Sequence, residues 1–81
     1  MLTIKVLGPG CANCRKLEEI ARAAATSAGI AAEVVKVTDM QQIVGYGVLK
    51  TPGLVIDEKL VCSGRIPAPA SVAEWIAAAR A

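Results

Sequence analysis

The chain has 81 residues, nine of them basic and seven acidic, and a formal net charge of +2. This length suits a single domain over residues 1–81 with one hydrophobic core. Apolar residues make up 54% of the sequence and aromatic residues 2%, which predicts a core of aliphatic side chains and alanines. Because the basic residues are interspersed with acidic ones and not interleaved with aromatics, the composition argues against a nucleic-acid-binding protein.

The sequence also argues against membrane insertion. No apolar run approaches the ~18 residues that a membrane span needs, and residues 2–7 are too short, and lack preceding positive charges, for a signal peptide. We therefore expect a cytoplasmic protein, and separately we expect a monomer. Thiols are kept reduced in that compartment, so two cysteines in a CxxC arrangement favour metal binding or redox chemistry over a structural disulfide. Three cysteines without histidine leave too few ligands for a closed zinc site.

The first half of the chain predicts a strand, a helix and a second strand. Residues 2–7 form a short apolar run that ends at a Gly-Pro-Gly turn, as expected of a buried strand. Residues 11–28 carry apolar side chains at helical spacing, and Gly29 supplies a stop. The valine-rich residues 32–37 predict the second strand. Two strands joined in this way should be parallel, with a right-handed crossover.

A short helix is predicted next. Residues 38–41 read Thr-Asp-Met-Gln, which has the form of a capping box. The helix that this box opens is predicted to turn Met40, Ile43 and Val44 inward.

The last third predicts a hairpin and a final helix. Residues 54–56 and 60–62 flank a turn at residues 57–58, which indicates two antiparallel strands. Residues 71–74 form a second capping box that opens a helix with Trp75 on its apolar side. The predicted order is β-α-β-α-β-β-α, an α/β fold with a mixed four-stranded sheet flanked by helices.

The cysteine pair lies where the first strand meets the first helix. Residues at helical i, i+3 positions lie ~5–6 Å apart at Cβ, so Cys11 and Cys14 can form a disulfide after modest adjustment. The helix N-terminus and the nearby Arg15 and Lys16 favour a thiolate and a lowered pKa at Cys11. Cys14 should be less exposed. We expect Cys11 to act as nucleophile and Cys14 as resolving cysteine.

Two glycines precede the pair. Gly8 and Gly10 remove side chains that would crowd a partner approaching Cys11, which makes Gly10 a candidate substrate-binding residue. The alternative is that the glycines serve the turn alone. The third cysteine, Cys62, reads as a small buried hydrophobe, or alternatively as a third soft ligand for Cu(I) or another thiophilic ion.

The order strand, CxxC, helix, strand, helix, Thr-Pro, hairpin and helix resembles the thioredoxin-like superfamily along the whole chain. The short length and the GxGCxNC form are similar to its small redox-active disulfide proteins. The resemblance implies a cis peptide bond at Pro52, packed against the CxxC, and a Thr51 backbone that pairs with bound substrate. The superfamily also buries an acid six residues before the first cysteine, whereas this chain has Lys5 there.

The leading hypothesis is a thiol–disulfide oxidoreductase that needs neither an organic cofactor nor a metal. Its expected partners are proteins with disulfides and a thiol reductase, which resemblance suggests is thioredoxin-reductase-like. The alternative hypothesis is a soft-metal carrier. Heavy-metal-associated domains have methionine two residues before the first cysteine, whereas this chain has Pro9 there, which argues against that hypothesis. A redox-sensing module without turnover stays open, since a sensor and a catalyst need the same low-pKa pair.

Overall fold

The computed structural model describes residues 2–10, 12–48 and 50–80. Within these ranges the chain forms four strands and three helices in the predicted order, and the α/β class is confirmed. The elements are β1 (Leu2–Leu7), α1 (Ala12–Ser27), β2 (Ala32–Val37), α2 (Met40–Gly45), β3 (Gly53–Ile56), β4 (Lys59–Ser63) and α3 (Pro69–Arg80). Cys11, the predicted nucleophile, lies outside the described residues.

The four strands form one mixed sheet in the order β2-β1-β3-β4. The β1 strand runs parallel to β2 and antiparallel to β3, and β4 runs antiparallel to β3. The register pairs Leu7 with Val37 and with Gly53. The end of β1, the end of β2 and the beginning of β3 therefore lie at one edge of the sheet. That edge is also where the CxxC segment follows β1.

The sheet has a core on each face, because successive side chains of a strand point to opposite sides. On one face Ile4 and Val6 pack with the apolar sides of α1 and α3. The buried side chains of this first core are Ile4, Val6, Leu17, Ala21, Ala24, Ala25, Leu54, Ile56, Cys62, Val72 and Ile76. On the other face lie Leu7, Val37, Ile43, Val48 and Val55, with Tyr46 packed against them. Trp75 is half-buried at the margin of the first core.

The prediction for α2 was wrong in two details. Its N-cap is Asp39 and not Thr38, since the extended Asp39 accepts a hydrogen bond from the Gln41 backbone N–H at 2.9 Å. Of the three apolar residues, Ile43 is 1% exposed, whereas Met40 and Val44 are 57% and 60% exposed. A six-residue helix presents too little surface to the sheet to bury residues on more than one side.

The prediction for the start of α3 was also wrong. The helix begins at Pro69, two residues before Ser71, which had been expected to cap it. Proline is well suited to the first helical position, where its missing N–H costs no hydrogen bond. The Ala68 carbonyl accepts from the backbone N–H groups of Ser71 and Val72 at 3.0 and 3.2 Å. Ser71 therefore lies inside the first turn.

The hairpin turn is formed by Asp57 and Glu58, as predicted. Both have positive φ, 52° and 66°, in the left-handed region that tight two-residue hairpin turns require and that non-glycine residues rarely adopt. The Asp57 N–H donates to the Thr3 carbonyl at 2.9 Å, which anchors the turn to β1. This turn lies at the edge of the sheet opposite the CxxC segment.

Among the described residues, no helix combines the length and apolar character needed to cross a bilayer.

The burial of α2 leads to a direct comparison of two substitutions. Ile43→Ala should lower the free energy of unfolding by about 2–5 kcal/mol, because it removes fully buried volume. Val44→Ala, in the next position of the same helix, should change it by no more than about 0.5 kcal/mol. Urea unfolding measures both. Equal losses for the two variants would show that Val44 is buried and that the orientation of α2 is wrong.

Candidate functional site

The predicted resolving cysteine is buried at the beginning of α1. Cys14 is the third residue of that helix and is 5% exposed. Its sulfur lies beside the backbone of Gly8, the residue that follows β1. Burial of this kind leaves little room for a protein substrate to reach the sulfur directly, which agrees with the expected lower exposure of Cys14. Its pairing with Cys11 stays a prediction.

Gly8 is a glycine because Cys14 occupies the space of its side chain. A Cβ built on Gly8 would overlap the Cys14 Sγ and would lie 3.6 Å from the Thr51 Cβ. Gly8 is itself buried, and its N–H donates to the Val37 carbonyl at 2.9 Å. The sequence left Gly8 between two interpretations, room for an approaching partner or the turn alone, and the structure adds a third reason, because Gly8 makes room for Cys14.

Gly10 has a different reason to be glycine. Its φ of +93° lies in the region that side-chain-bearing residues rarely adopt, and an added Cβ would meet nothing within 4 Å. Gly10 is exposed, and its carbonyl accepts a hydrogen bond from Arg15 Nη1 at 3.4 Å. The backbone conformation thus explains why residue 10 is glycine. A contact between Gly10 and the substrate stays a prediction.

The Thr51–Pro52 segment lies next to the contact between Gly8 and Cys14. Its peptide bond is cis, the geometry that the resemblance implies, and Pro52 is buried while Thr51 is half-buried. The Pro52 carbonyl accepts from the Gly64 N–H at 2.9 Å, which ties this segment to the loop after β4. The structure therefore brings Thr51 and Pro52 to the same edge as Cys14. Their role in binding substrate is untested.

A cavity of about 300 Å³ lies beside Cys14, between the beginning of α1 and the end of β2. Its wall combines the buried cysteine with exposed polar residues that lie at the protein surface. The lining residues are Val6, Gly8, Gly10, Cys14, Arg15, Glu18, Lys36 and Thr38. No sequence pattern predicts this cavity, because it depends on how α1 packs on β2.

Glu18 is the acidic residue of this cavity. Its carboxylate lies 2.8 Å from Arg22 Nη2 and 3.4 Å from Lys36 Nζ, and the side chain is 13% exposed. The hydrogen bond from Arg22, with a further contribution from Lys36, holds the pKa of Glu18 below its usual value. A carboxylate held ionised in this way is a poor proton acceptor for a thiol. Glu18 therefore does not replace the buried acid that the chain lacks.

Lys5, which occupies the position of that acid, belongs to a charged cluster on the other face of the sheet. Its Nζ lies 2.6 Å from a Glu58 carboxylate oxygen and donates to the Tyr46 hydroxyl at 2.7 Å. The Tyr46 hydroxyl in turn donates to Glu58 at 3.0 Å. The hydrogen bond to Glu58 raises the pKa of Lys5, and the hydrogen bond from Lys5 lowers the pKa of Glu58.

Cys62 is a free, buried thiol on β4. It pairs with Leu54 of β3, and its Sγ lies 3.8 Å from the Arg65 carbonyl. β3 separates β4 from β1, the strand that leads into the cysteine pair. Its interpretation as a small hydrophobe of the core is confirmed. Among the described residues, which do not include Cys11, no three His, Cys, Asp or Glu side chains are grouped so that they could hold a metal ion.

The contact between Gly8 and Cys14 predicts that Gly8→Ala is destabilising. The added methyl group would overlap the Cys14 sulfur, and overpacking of this kind costs about 1–3 kcal/mol. Gly45→Ala is the matched control, because a Cβ there meets nothing within 4 Å and alanine favours a helix by roughly 0.5–1 kcal/mol over glycine. Urea unfolding of both variants checks this. An unchanged stability of Gly8→Ala would contradict the contact.

The Lys5–Glu58 pair predicts a pH dependence of stability. Since the pKa of folded Glu58 lies below the ordinary value of 4.5, its stabilisation is fully present above that pH. The stabilisation is lost as the pH falls through the folded pKa. Glu58→Gln should therefore be less stable than the native chain at pH 7, and this difference should shrink below pH 4.5.

Glu74→Gln provides the control for this pH series. Glu74 is exposed on α3 and makes no ion pair within the described residues, so its substitution should leave the acid limb of the stability curve unchanged. Urea unfolding at pH values from 3 to 7 compares the three proteins. A gap between the native chain and Glu58→Gln that stays constant over this range would contradict the ion pair.

Comparison with known proteins agrees with this architecture. A family model described as a thioredoxin domain matches residues 2–77. A thioredoxin of Methanothermobacter thermautotrophicus is 44% identical over 66 residues, which cover 82% of this chain and 86% of the relative. A thioredoxin of Methanocaldococcus jannaschii is 38% identical over 74 residues, covering 91% of this chain and 85% of the relative.

Among solved structures, a Nu-class GST from Haemonchus contortus aligns with a TM-score of 0.48 and 21% identity. The alignment covers 96% of this chain and 36% of that one, and a likeness of this size carries no argument. The family match and the two relatives, together with the sheet order and the placement of Cys14 beside the Thr51–Pro52 segment, lead to one conclusion. The chain belongs to the thioredoxin-like superfamily.

Proposed function

We propose that the protein is a thiol–disulfide oxidoreductase that reduces or exchanges disulfides in partner proteins through Cys11 and Cys14. The observation that carries this proposal is the packing of Cys14 against Gly8, beside Thr51, at the beginning of α1. Such packing holds one sulfur of the CxxC at a fixed place next to the segment expected to bind substrate. The thioredoxins that the chain resembles support oxidoreductase activity in general.

Cys11 is the proposed nucleophile. It directly precedes Ala12, the first residue of α1, and a helix N-terminus stabilises negative charge through its unpaired N–H groups. The first turn of α1 contains no acidic residue, and both Arg15 and Lys16 are exposed there. This electrostatic environment favours a thiolate near neutral pH. The buried Cys14 is suited to the second step, which needs no direct access for the substrate.

The reaction proceeds in two exchanges. The Cys11 thiolate attacks one sulfur of the substrate disulfide, forms a mixed disulfide and releases the other sulfur as a thiolate. Cys14, once deprotonated, attacks the Cys11 sulfur and releases the second substrate thiolate. Two electrons pass from the protein to the substrate, whose thiolates take up protons from water. A thiol reductase, or dithiothreitol in an assay, then reduces the Cys11–Cys14 disulfide.

The proton of Cys14 needs a route out of the protein, since Lys5 stands where the superfamily has an acid. The cavity beside Cys14 supplies one, because it is also lined by the exposed residues Lys36 and Thr38. We propose that water in this cavity accepts the proton. The protein contributes to this proton transfer by leaving a cavity between α1 and β2 that connects Cys14 to the surface.

Substrate recognition is assigned to the edge that carries Cys14. Thr51 is proposed to pair through its backbone with an extended segment of the substrate, and Pro52 and Gly10 are proposed to contact the same segment. None of these roles requires a metal or an organic cofactor. We propose that the reaction takes place in the cytoplasm, where a reductase keeps the pair reduced.

Cysteine variants test the proposal. The native chain, with dithiothreitol as electron donor, should reduce a neutral disulfide such as bis(2-hydroxyethyl) disulfide over many turnovers. Cys11→Ser should abolish this activity. Pre-reduced Cys14→Ser, freed of dithiothreitol and mixed with the same disulfide, should accumulate a mixed disulfide on Cys11, because the second exchange is lost, and mass analysis identifies the modified peptide.

Cys62→Ser is the matched control. Cys62 lies in the core on β4, so this variant should keep the turnover of the native chain. Turnover that depends on Cys62, or a Cys11→Ser variant as active as the native chain, would contradict the assignment. One round of oxidation without repeated turnover would instead indicate a redox sensor.

A further inference from the structure

The basic residues of the chain fall into a paired and an unpaired group. Lys5 is paired with Glu58, and Arg22 and Lys36 are both paired with Glu18. Three cations thus face two carboxylates, and the cluster around Glu18 keeps one net positive charge. The unpaired cations whose side chains the structure describes are Arg15, Lys16, Lys50, Lys59 and Arg65.

Four of these five unpaired cations lie at the edge of the sheet that carries Cys14. Arg15 and Lys16 are in the first turns of α1, and Lys50 directly precedes Thr51. Arg65 follows Gly64, whose N–H binds the Pro52 carbonyl at 2.9 Å. A Cβ on Gly64 would lie 3.1 Å from the Lys50 Cβ, so the two loops are in contact. We call Arg15, Lys16, Lys50 and Arg65 the basic rim.

The acidic residues are placed mostly elsewhere. Glu18 is neutralised by its two cations, and Asp39 lies at the same edge but is engaged as the N-cap of α2. Asp57 and Glu58 are in the hairpin turn, and Glu33 is near the start of β2, so all three lie at the opposite edge. Glu19 and Glu74 are on the helices. The net charge of +2 is thus unevenly distributed.

We propose that the basic rim selects protein substrates whose disulfide lies beside acidic side chains. This inference rests on the proposed function and names its substrate class. The rim surrounds the segment expected to bind substrate from two sides, α1 on one and the loops at Lys50 and Arg65 on the other. An acidic segment laid across Thr51 would meet positive charge along its length, whereas a basic segment would be repelled.

Complementary charges raise the rate at which the protein and its substrate associate. Electrostatic steering raises association rate constants by roughly 10–10³ at low ionic strength, and salt removes the effect. The Debye length is about 30 Å at 0.01 M ionic strength and about 3 Å at 1 M. The first exchange should therefore depend on salt for a charged substrate. The second exchange, within the mixed disulfide, should depend on salt less.

Two peptides with the same disulfide loop test this, one flanked by four glutamates and the other by four lysines. Each is mixed with the pre-reduced protein in a single turnover at about 0.01 M and about 1 M ionic strength. We expect the acidic peptide to be reduced at least about tenfold faster at low salt, and the difference to fall below about threefold at high salt. Equal rates for the two peptides at low salt would overturn the inference.

Charge-reversal variants locate the effect. Lys50→Glu and Arg65→Glu should each slow reduction of the acidic peptide at least about threefold at low salt and leave reduction of neutral bis(2-hydroxyethyl) disulfide unchanged. Lys59→Glu is the control, since it makes the same change of charge at the opposite edge and should leave both rates unchanged. An equal loss in Lys59→Glu would mean that net charge, and not the rim, is responsible.

The neutral disulfide separates failure of this inference from failure of the proposed function. A protein that reduces the neutral disulfide but does not distinguish the peptides lacks the charge selectivity and keeps the activity. A protein that reduces none of the three lacks the activity, and the inference falls with it. The comparison of peptides and salt on the native chain does not depend on the folding of any variant.

Discussion

The contact between the Cys14 sulfur and the backbone of Gly8 is the constraint on which the site depends. Four residues, 8 to 11, connect the end of β1 to the beginning of α1, so the helix begins close to the end of the strand. A side chain at position 8 would occupy the place of the sulfur. The hydrogen bond from the Gly8 N–H to Val37 fixes this backbone to β2. Strand, helix and thiol are thereby held in one arrangement.

The charges of the fold are consistent with that arrangement. Where the superfamily buries an acid beneath the cysteines, this chain has a lysine whose charge is balanced by Glu58 and which also donates a hydrogen bond to the Tyr46 hydroxyl. Glu18, the carboxylate nearest to Cys14 along α1, is balanced by Arg22 and Lys36. The Lys5–Glu58 pair is neutral and the Glu18 cluster keeps one net positive charge, so the field at the reactive edge is set by cations and the helix N-terminus. Such a field favours thiolates and anionic partners.

Much of the fold follows from the sequence, because its signals are local. Apolar runs, the glycine stop at residue 29 and the turn at residues 57–58 predict all seven elements in their observed order. The errors in the element bounds concern where two helices start. Asp39, and not Thr38, caps α2, and α3 begins at Pro69, two residues before the expected cap Ser71. In each case a local preference decides between neighbouring residues: the hydrogen bond to Asp39, or the suitability of proline for the first helical position.

The site was less predictable, because its main features join residues distant in sequence. Gly8 was noticed, but its reason lies in the position of Cys14 above it. Lys5 lies on β1 and Glu58 in the turn after β3, far apart in the sequence, and no sequence pattern marks their pairing. The exposure of Met40 likewise depends on packing, because the sheet covers only one side of α2. Such features require the three-dimensional arrangement.

The central claim is that Cys11 and Cys14 form one redox pair and that Cys62 takes no part. A glutathione redox titration of the metal-free protein, with alkylation and mass analysis of each cysteine, tests it most directly. The account predicts a reversible two-electron transition confined to Cys11 and Cys14, at roughly −200 to −300 mV. A pair that stays reduced over this range, or a transition that includes Cys62, would contradict it.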